Sequence, residues 1–269
     1  MTSTWDESLD EIAAAINELS TFLAHEQIRD ATDPDKCLVP DSNGGTQVDV
    51  ITFCASAVLY TADIVFTSVN EVERKREEFF GLVVSDQTAN EALNSRPTDA
   101  MEDFLTVLVE DQSTNCGANA SMTKGLLARH GIHNPRSIIV AQDPTMCRRT
   151  AASFEKLYEA DPDTRPQILC WPTFVPRVAM VEAQTVASSG PLSRLAFQTA
   201  PMSGPNLDDL WEMTRFADLI MGEIPRLRDT IDGYGPRGKG FISHVDVPQS
   251  VENAWHILRS SLGSLERAS

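Results

Sequence analysis

Three short apolar runs constrain this chain more than any other feature: Phe104-Leu105-Thr106-Val107-Leu108-Val109, Ser137-Ile138-Ile139-Val140-Ala141 and Gln167-Ile168-Leu169-Cys170-Trp171. Each is apolar, the first two are rich in β-branched residues, and all have the length of a buried strand. Helix-sized stretches separate them. Residues 115–130 carry Ala118, Met122 and Leu126 on one face, and Gly131 stands where a helix C′ glycine belongs. After the second run, Asp143 reads as an N-cap and Pro144 as a first helical residue, opening a helix to about Tyr158. Strand, helix, strand, helix, strand with short connections makes βαβ units, whose crossovers are right-handed and whose sheet is parallel. The expected fold is α/β: a Rossmann-like parallel sheet flanked by helices, with a small helical subdomain built from the N- and C-terminal segments.

The remaining chain fits around that centre. Leu9, Ile12, Ile16, Leu19 and Leu23 recur at helical spacing, predicting a helix over 8–29. Val48–Cys54 suits a buried first strand, 58–80 a helix, and Gly81–Val84 a further strand. Residues 206–222 and 249–266 read as helices. The organisation expected is an N-terminal helical arm at 1–46, a Rossmann-like domain at 47–204 with an atypical stretch at 63–103, and a C-terminal helical subdomain at 205–269.

Charge narrows the partners. The 269 residues carry a formal net charge of −17, which repels phosphate backbones and anionic membranes. Nucleic-acid and membrane binding are therefore not expected, and a small-molecule ligand is. The five cysteines are an odd number and lie far apart, so the spacing suggests neither a disulfide framework nor a zinc site. The start, Met1-Thr2-Ser3-Thr4-Trp5-Asp6-Glu7, lacks the basic and apolar regions of a signal peptide. A cytoplasmic protein without bound metal is expected.

Ligands of open parallel sheets bind outside the carboxyl ends of the strands, where helix N-termini also point. Two polar clusters follow strands here. In the first, Glu110, Asp111, Ser113, Thr114 and Asn115 directly succeed an apolar run, with Asn119 one helical turn further on. Capping accounts for one or two of these side chains. It does not account for Glu110, a carboxylate able to accept from ribose hydroxyls or an ammonium group. The second cluster holds Gln142, Asp143, Thr145, Arg148 and Arg149. Two cations in the first turns of a helix oppose its dipole. A ligand carboxylate or phosphate, Glu110 and Asp111, or another internal ion pair would each relieve them. Ser56, in the small-residue turn Ala55-Ser56-Ala57, allows close backbone approach to a ligand or is simply a tight turn.

Other features read as structural. Cys116 suits a buried small hydrophobe. His244 and Asp246 are spaced to orient one another. The glycine-rich loop Gly233–Gly240 lacks phosphate-loop spacing. The run Glu223–Asp229 reads as a salt-bridged connection.

Several of these segments, in this order, resemble the YdcF proteins: Glu110-Asp111-Gln112-Ser113-Thr114-Asn115-Cys116-Gly117, Gln142-Asp143-Pro144-Thr145-Met146, Arg148-Arg149-Thr150, Phe174-Val175-Pro176, Gly222–Asp229, Asp232–Gly238 and His244-Val245-Asp246. YdcF proteins form one branch of a domain-of-unknown-function family that also includes the membrane-anchored SanA and ElyC. The resemblance implies a Rossmann-like domain with a small helical domain, and binding of S-adenosyl-L-methionine without an established reaction. The chain departs from the family pattern in three ways. No Gly-Gly-x-Gly-His-Ser-Thr loop follows the second strand, Ala55 stands where glycine is usual, and Ala118 where glutamate is usual. Three readings stay open: a protein binding S-adenosyl-L-methionine or a related adenosine compound, an enzyme acting on a phosphate- or sugar-bearing substrate, and a degenerate or mis-spliced family member.

Overall fold

The computed structural model describes residues 4–29, 49–54, 58–75, 80–85, 105–160, 165–181, 190–198 and 204–263. Ser56 and most of the stretch 63–103 that the sequence singles out as atypical lie outside them.

The apolar periodicity of the first residues becomes helix α1 (Thr4–Ala24). The first sheet unit is strand β1 (Asp49–Cys54), helix α2 (Leu59–Lys75) and strand β2 (Phe80–Ser85). Strand β3 (Leu105–Glu110), helix α3 (Cys116–Arg129) and strand β4 (Ser137–Ala141) follow. Helix α4 (Cys147–Leu157) then leads to strand β5 (Gln167–Trp171). All five strands pair in parallel in the order β3-β2-β1-β4-β5. The chain works outward from β1 to β3, then returns to the other side of β1 with β4. That reversal makes the β1/β4 boundary the topological switch point, where α/β sheets of this kind open a crevice.

Strand alternation divides the core. Val50, Leu108, Ile138 and Val140 face Ala120, Leu126 and Leu127 of α3 and Phe154 of α4. Ile51, Phe53, Ile139 and Leu169 face the other way, against Val65 of α2. These strands carry large apolar residues on both faces because both are covered, which is why they read as continuous apolar runs.

Beyond β5 the chain forms a separate antiparallel pair, β6 (Arg177–Met180) and β7 (Leu195–Gln198). Two helices close the fold: α5 (Met213–Leu227) and α6 (Gln249–Leu262). One hydrophobic cluster joins Ile16, Leu19 and Leu23 of α1, Val178 of β6, Leu195 of β7, Phe216 and Ile220 of α5, and Trp255 and Leu258 of α6. The N-terminal helix thus joins the C-terminal helices, as the sequence suggests. The β6/β7 pair packs with this layer and not with the main sheet, so the sheet domain ends in packing terms well before residue 204.

Side chains stitch the layers together. Asn17 of α1 donates to the Val178 carbonyl (2.9 Å) and accepts from its amide (2.8 Å), completing the free edge of β6. At the outer edge of the main sheet, the amides of Gln27 and Ile28 donate to the Cys170 carbonyl, while the Cys170 amide donates to Gln27 Oε1 (2.8 Å). This covers the exposed edge of β5. Among the described residues no helix is long and apolar enough to cross a membrane.

Candidate functional site

The strand register sets a rung of residues across the carboxyl end of the sheet. Cys54 pairs with Ser85 and Ser85 with Glu110. On the other side Phe53 pairs with Ala141, which puts Gln142 beside Cys54 at the switch point. Side chains alternate along a strand, so Cys54, Glu110 and Gln142 share the α3/α4 face with Val50, Leu108, Ile138 and Val140. The rung beneath reads Leu108, Val83, Thr52, Val140. On this face Leu108 is followed by Glu110 and Val140 by Gln142, so the described side chains turn from apolar to polar at the carboxyl ends of β3 and β4. Three strand spacings separate Glu110 from Gln142, roughly 14 Å.

Glu110 is 5% exposed. Its Oε1 accepts the amides of Gln112 (2.7 Å) and Ser113 (3.1 Å), so one oxygen orders the turn that leaves β3. Its Oε2 is buried and meets no hydrogen-bonding partner. Asp111 and Thr114 are exposed, and Asp111 accepts from Gln112 Nε2 (2.6 Å). Ser113 and Asn119 are half-buried. Asn115 is the N-cap of α3, its Oδ1 accepting the Ala118 amide at 3.0 Å.

The turn after β4 departs from expectation. Asp143 does not cap α4, which begins at Cys147 behind Met146 with no side-chain cap. Its Oδ1 instead accepts the amide (2.9 Å) and hydroxyl (2.7 Å) of Thr145, and its carbonyl accepts the Met146 amide. Satisfied by this tight turn, Asp143 postpones the helix, and Pro144 falls in the turn instead of the first helical position. Gln142 Oε1 accepts the Asp143 amide (2.7 Å), and its Nε2 reaches the Thr150 hydroxyl at 3.4 Å. Gln142, Asp143, Thr145 and Thr150 are all buried.

Here the two clusters meet. Cys116, the first residue of α3, lies near Arg149 and Thr150 of α4; burial pushes its thiol up, against the opposing pull of the Arg149 charge and the Thr150 hydroxyl. Arg149 takes Glu223 of α5 as a two-pronged partner, through Nε to Oε2 and through Nη2 to Oε1 (3.1 Å). Glu223 also accepts from Arg226 (3.2 Å). The anion that relieves Arg149 is thus an internal carboxylate from the helical layer.

Arg148 goes elsewhere. It turns toward the end of α1, with Nη1 2.6 Å from His25 Nδ1 and its guanidinium 4.2 Å from the Phe22 ring centroid. α1 has no basic residue in its last turn, and Arg148 brings a positive charge to that end from another element. It also lies near Cys170 of β5, and burial lowers its pKa. β5 is one edge strand and β3 the other, so Arg148 and Glu110 belong to opposite sides of the sheet.

His244 pairs with Asp229, not Asp246: its Nδ1 is 3.0 Å from Asp229 Oδ2, which also accepts from Arg237 Nε (3.1 Å). The glycine-rich loop coils on itself and brings Tyr234 near Arg149. The run Glu223–Asp229 is salt-bridged, as its sequence reads, but the pairing of Glu223 with Arg149 and the approach of Tyr234 carry no local signal because both lie far along the chain from α4. The arginines opposed to the α4 dipole were the available signal that an anion had to arrive. Among the described residues no group of three histidine, cysteine or acidic side chains is arranged to hold a metal ion. No family model matches the chain.

Proposed function

We propose that this protein binds a small molecule over the last rung of its sheet, between Glu110 and Gln142 and beneath the start of α3. The observation that carries this reading is the coincidence of that polar rung with the switch point of the order β3-β2-β1-β4-β5. Strand reversal leaves a crevice there, and a buried acidic side chain lines one end of the rung. An S-adenosyl-L-methionine or related adenosine compound suits the roughly 14 Å span, and agrees with the resemblance to the YdcF proteins.

The reading stops at binding. Cys116 is a poor nucleophile, since burial holds it as a thiol. Both guanidiniums of the pair Arg148 and Arg149 are turned to protein groups, which disfavours a phosphate clamp and hence the phosphoester-processing alternative. Cys116, Cys147 and Cys170 are buried thiols outside any disulfide, suiting a reducing compartment such as the cytoplasm.

Isothermal calorimetry of the full chain with S-adenosyl-L-methionine and with adenosine tests the reading. Saturable binding of either, weakened by Gln142→Ala, is expected. No heat from either ligand at millimolar concentration would remove the adenosine assignment.

A further inference from the structure

The Glu110 carboxylate is half satisfied. Oε1 receives two backbone amides, while Oε2 has less than 1 Å² of accessible surface and no hydrogen-bonding partner. An ionised carboxylate accepts hydrogen bonds and donates none, and leaving a buried acceptor unmet is costly. No lysine, arginine or histidine among the described residues forms an ion pair with Glu110. Arg149, the cation beside Cys116 at the start of α3, is already matched by Glu223. Asp111 adds a second negative charge beside it. The local field therefore asks for a donor that is also positive.

Resting on the binding reading above, we infer that Glu110 is the specificity-determining residue of the rung. Its Oε2 takes a cationic N–H donor of the ligand, a primary ammonium, and the site prefers cationic ligands over neutral ones of the same shape. A neutral hydroxyl would fill the hydrogen bond but leave the charge uncompensated. The single free oxygen favours one point contact over the two-oxygen grip that a vicinal diol receives.

Glu110→Gln tests this without emptying the site. The glutamine carbonyl still accepts the amides of Gln112 and Ser113, and its NH2 stands where Oε2 was. Binding of S-adenosyl-L-methionine, of neutral adenosine and of ethylammonium is measured on the full chain by calorimetry and by thermal shift, with circular dichroism confirming that the variant is folded. The wild type is expected to prefer S-adenosyl-L-methionine to adenosine, and Glu110→Gln to weaken it about thirtyfold while leaving adenosine within about twofold. Equal affinities in the wild type, or an unchanged S-adenosyl-L-methionine affinity in the variant, would overturn the inference. Failure of both adenosine compounds to bind removes the adenosine assignment and passes the decision to ethylammonium. A thermal shift in the wild type that is lost in the variant then supports the inference, and no shift in the wild type overturns it.

Discussion

Arg149 and Glu223 tie the sheet to the helical layer through a two-pronged ion pair, although 74 residues separate them in the chain. Their side chains are 14% and 5% exposed. Removing one partner strands the other charge in a dry environment. Glu223→Ala is expected to cost about 3 kcal/mol of unfolding free energy. Replacing both together, Arg149→Met with Glu223→Leu, is expected to stay within about 1 kcal/mol of the wild type. Urea unfolding of the three proteins checks this, and equal losses in the single and double variants would show that packing, not charge, carries the contact.

At the opposite end of the sheet, Asp49 is 2% exposed and accepts from Arg136 Nε (3.0 Å) and from the Ser137 hydroxyl (2.5 Å). Asp49 and Ser137 are paired in register at the amino ends of β1 and β4. Asp49→Asn removes the buried charge that faces Arg136 and is expected to destabilise by about 3 kcal/mol. Ligand affinity by calorimetry should change less than about twofold, because the rung proposed to bind lies at the other end of the strands. A parallel loss of binding and stability would place the ligand elsewhere.

His25 ends α1 with φ of +46° and faces Arg148. Burial, then the Arg148 charge, lowers its pKa to about 4. Between that value and the ordinary imidazole value the unfolded chain takes up a proton that the folded chain refuses. Stability therefore falls as pH drops through this window and is fully present above it. His25→Gln keeps an acceptor for Arg148 but cannot titrate. Its melting temperature should fall less between pH 7 and pH 4.5 than the wild type's, and superimposable pH profiles would contradict the assignment.

Two glycines separate backbone freedom from space. At Gly131 φ is +80° and a Cβ would meet nothing within 4 Å, so Gly131→Ala should cost about 1 kcal/mol. At Gly233 a Cβ would sit 1.9 Å from the Arg228 carbonyl oxygen. Gly233→Ala should therefore cost several times more and distort the turn that brings Tyr234 to Arg149. Thermal melts in which Gly131→Ala is the more damaging of the two would reverse this ranking.

Legibility followed sequence distance. The strands β3, β4 and β5 can be read from their own apolar runs, and α3 from the glycine after it; its inward face differs from the expected one, since Met122 is exposed while Cys116, Ala120, Thr123, Leu126 and Leu127 are buried. Gln142 and Glu110 stand out as candidates because a polar residue directly after an apolar strand is a local signal. Asp143 was misread because a residue able to cap a helix is equally able to close a turn, and two Thr145 donors decided between them. The pair β6/β7 was missed because four-residue strands carry too little periodicity. The separate fates of Arg148 and Arg149 could not be seen, since neighbours on a helix point about 100° apart and their partners come from α1 and α5.

The sequence by itself determined the strands and helices of the main sheet, the parallel character of that sheet, and the placement of polar residues at strand ends. These follow from burial periodicity and local capping, which act within a few residues. Tertiary structure decided the strand order, the rung that sets Glu110 and Gln142 on one face, and the carboxylate that neutralises Arg149. Each depends on contacts between segments far apart in the chain, where side-chain geometry, not local pattern, selects the partner.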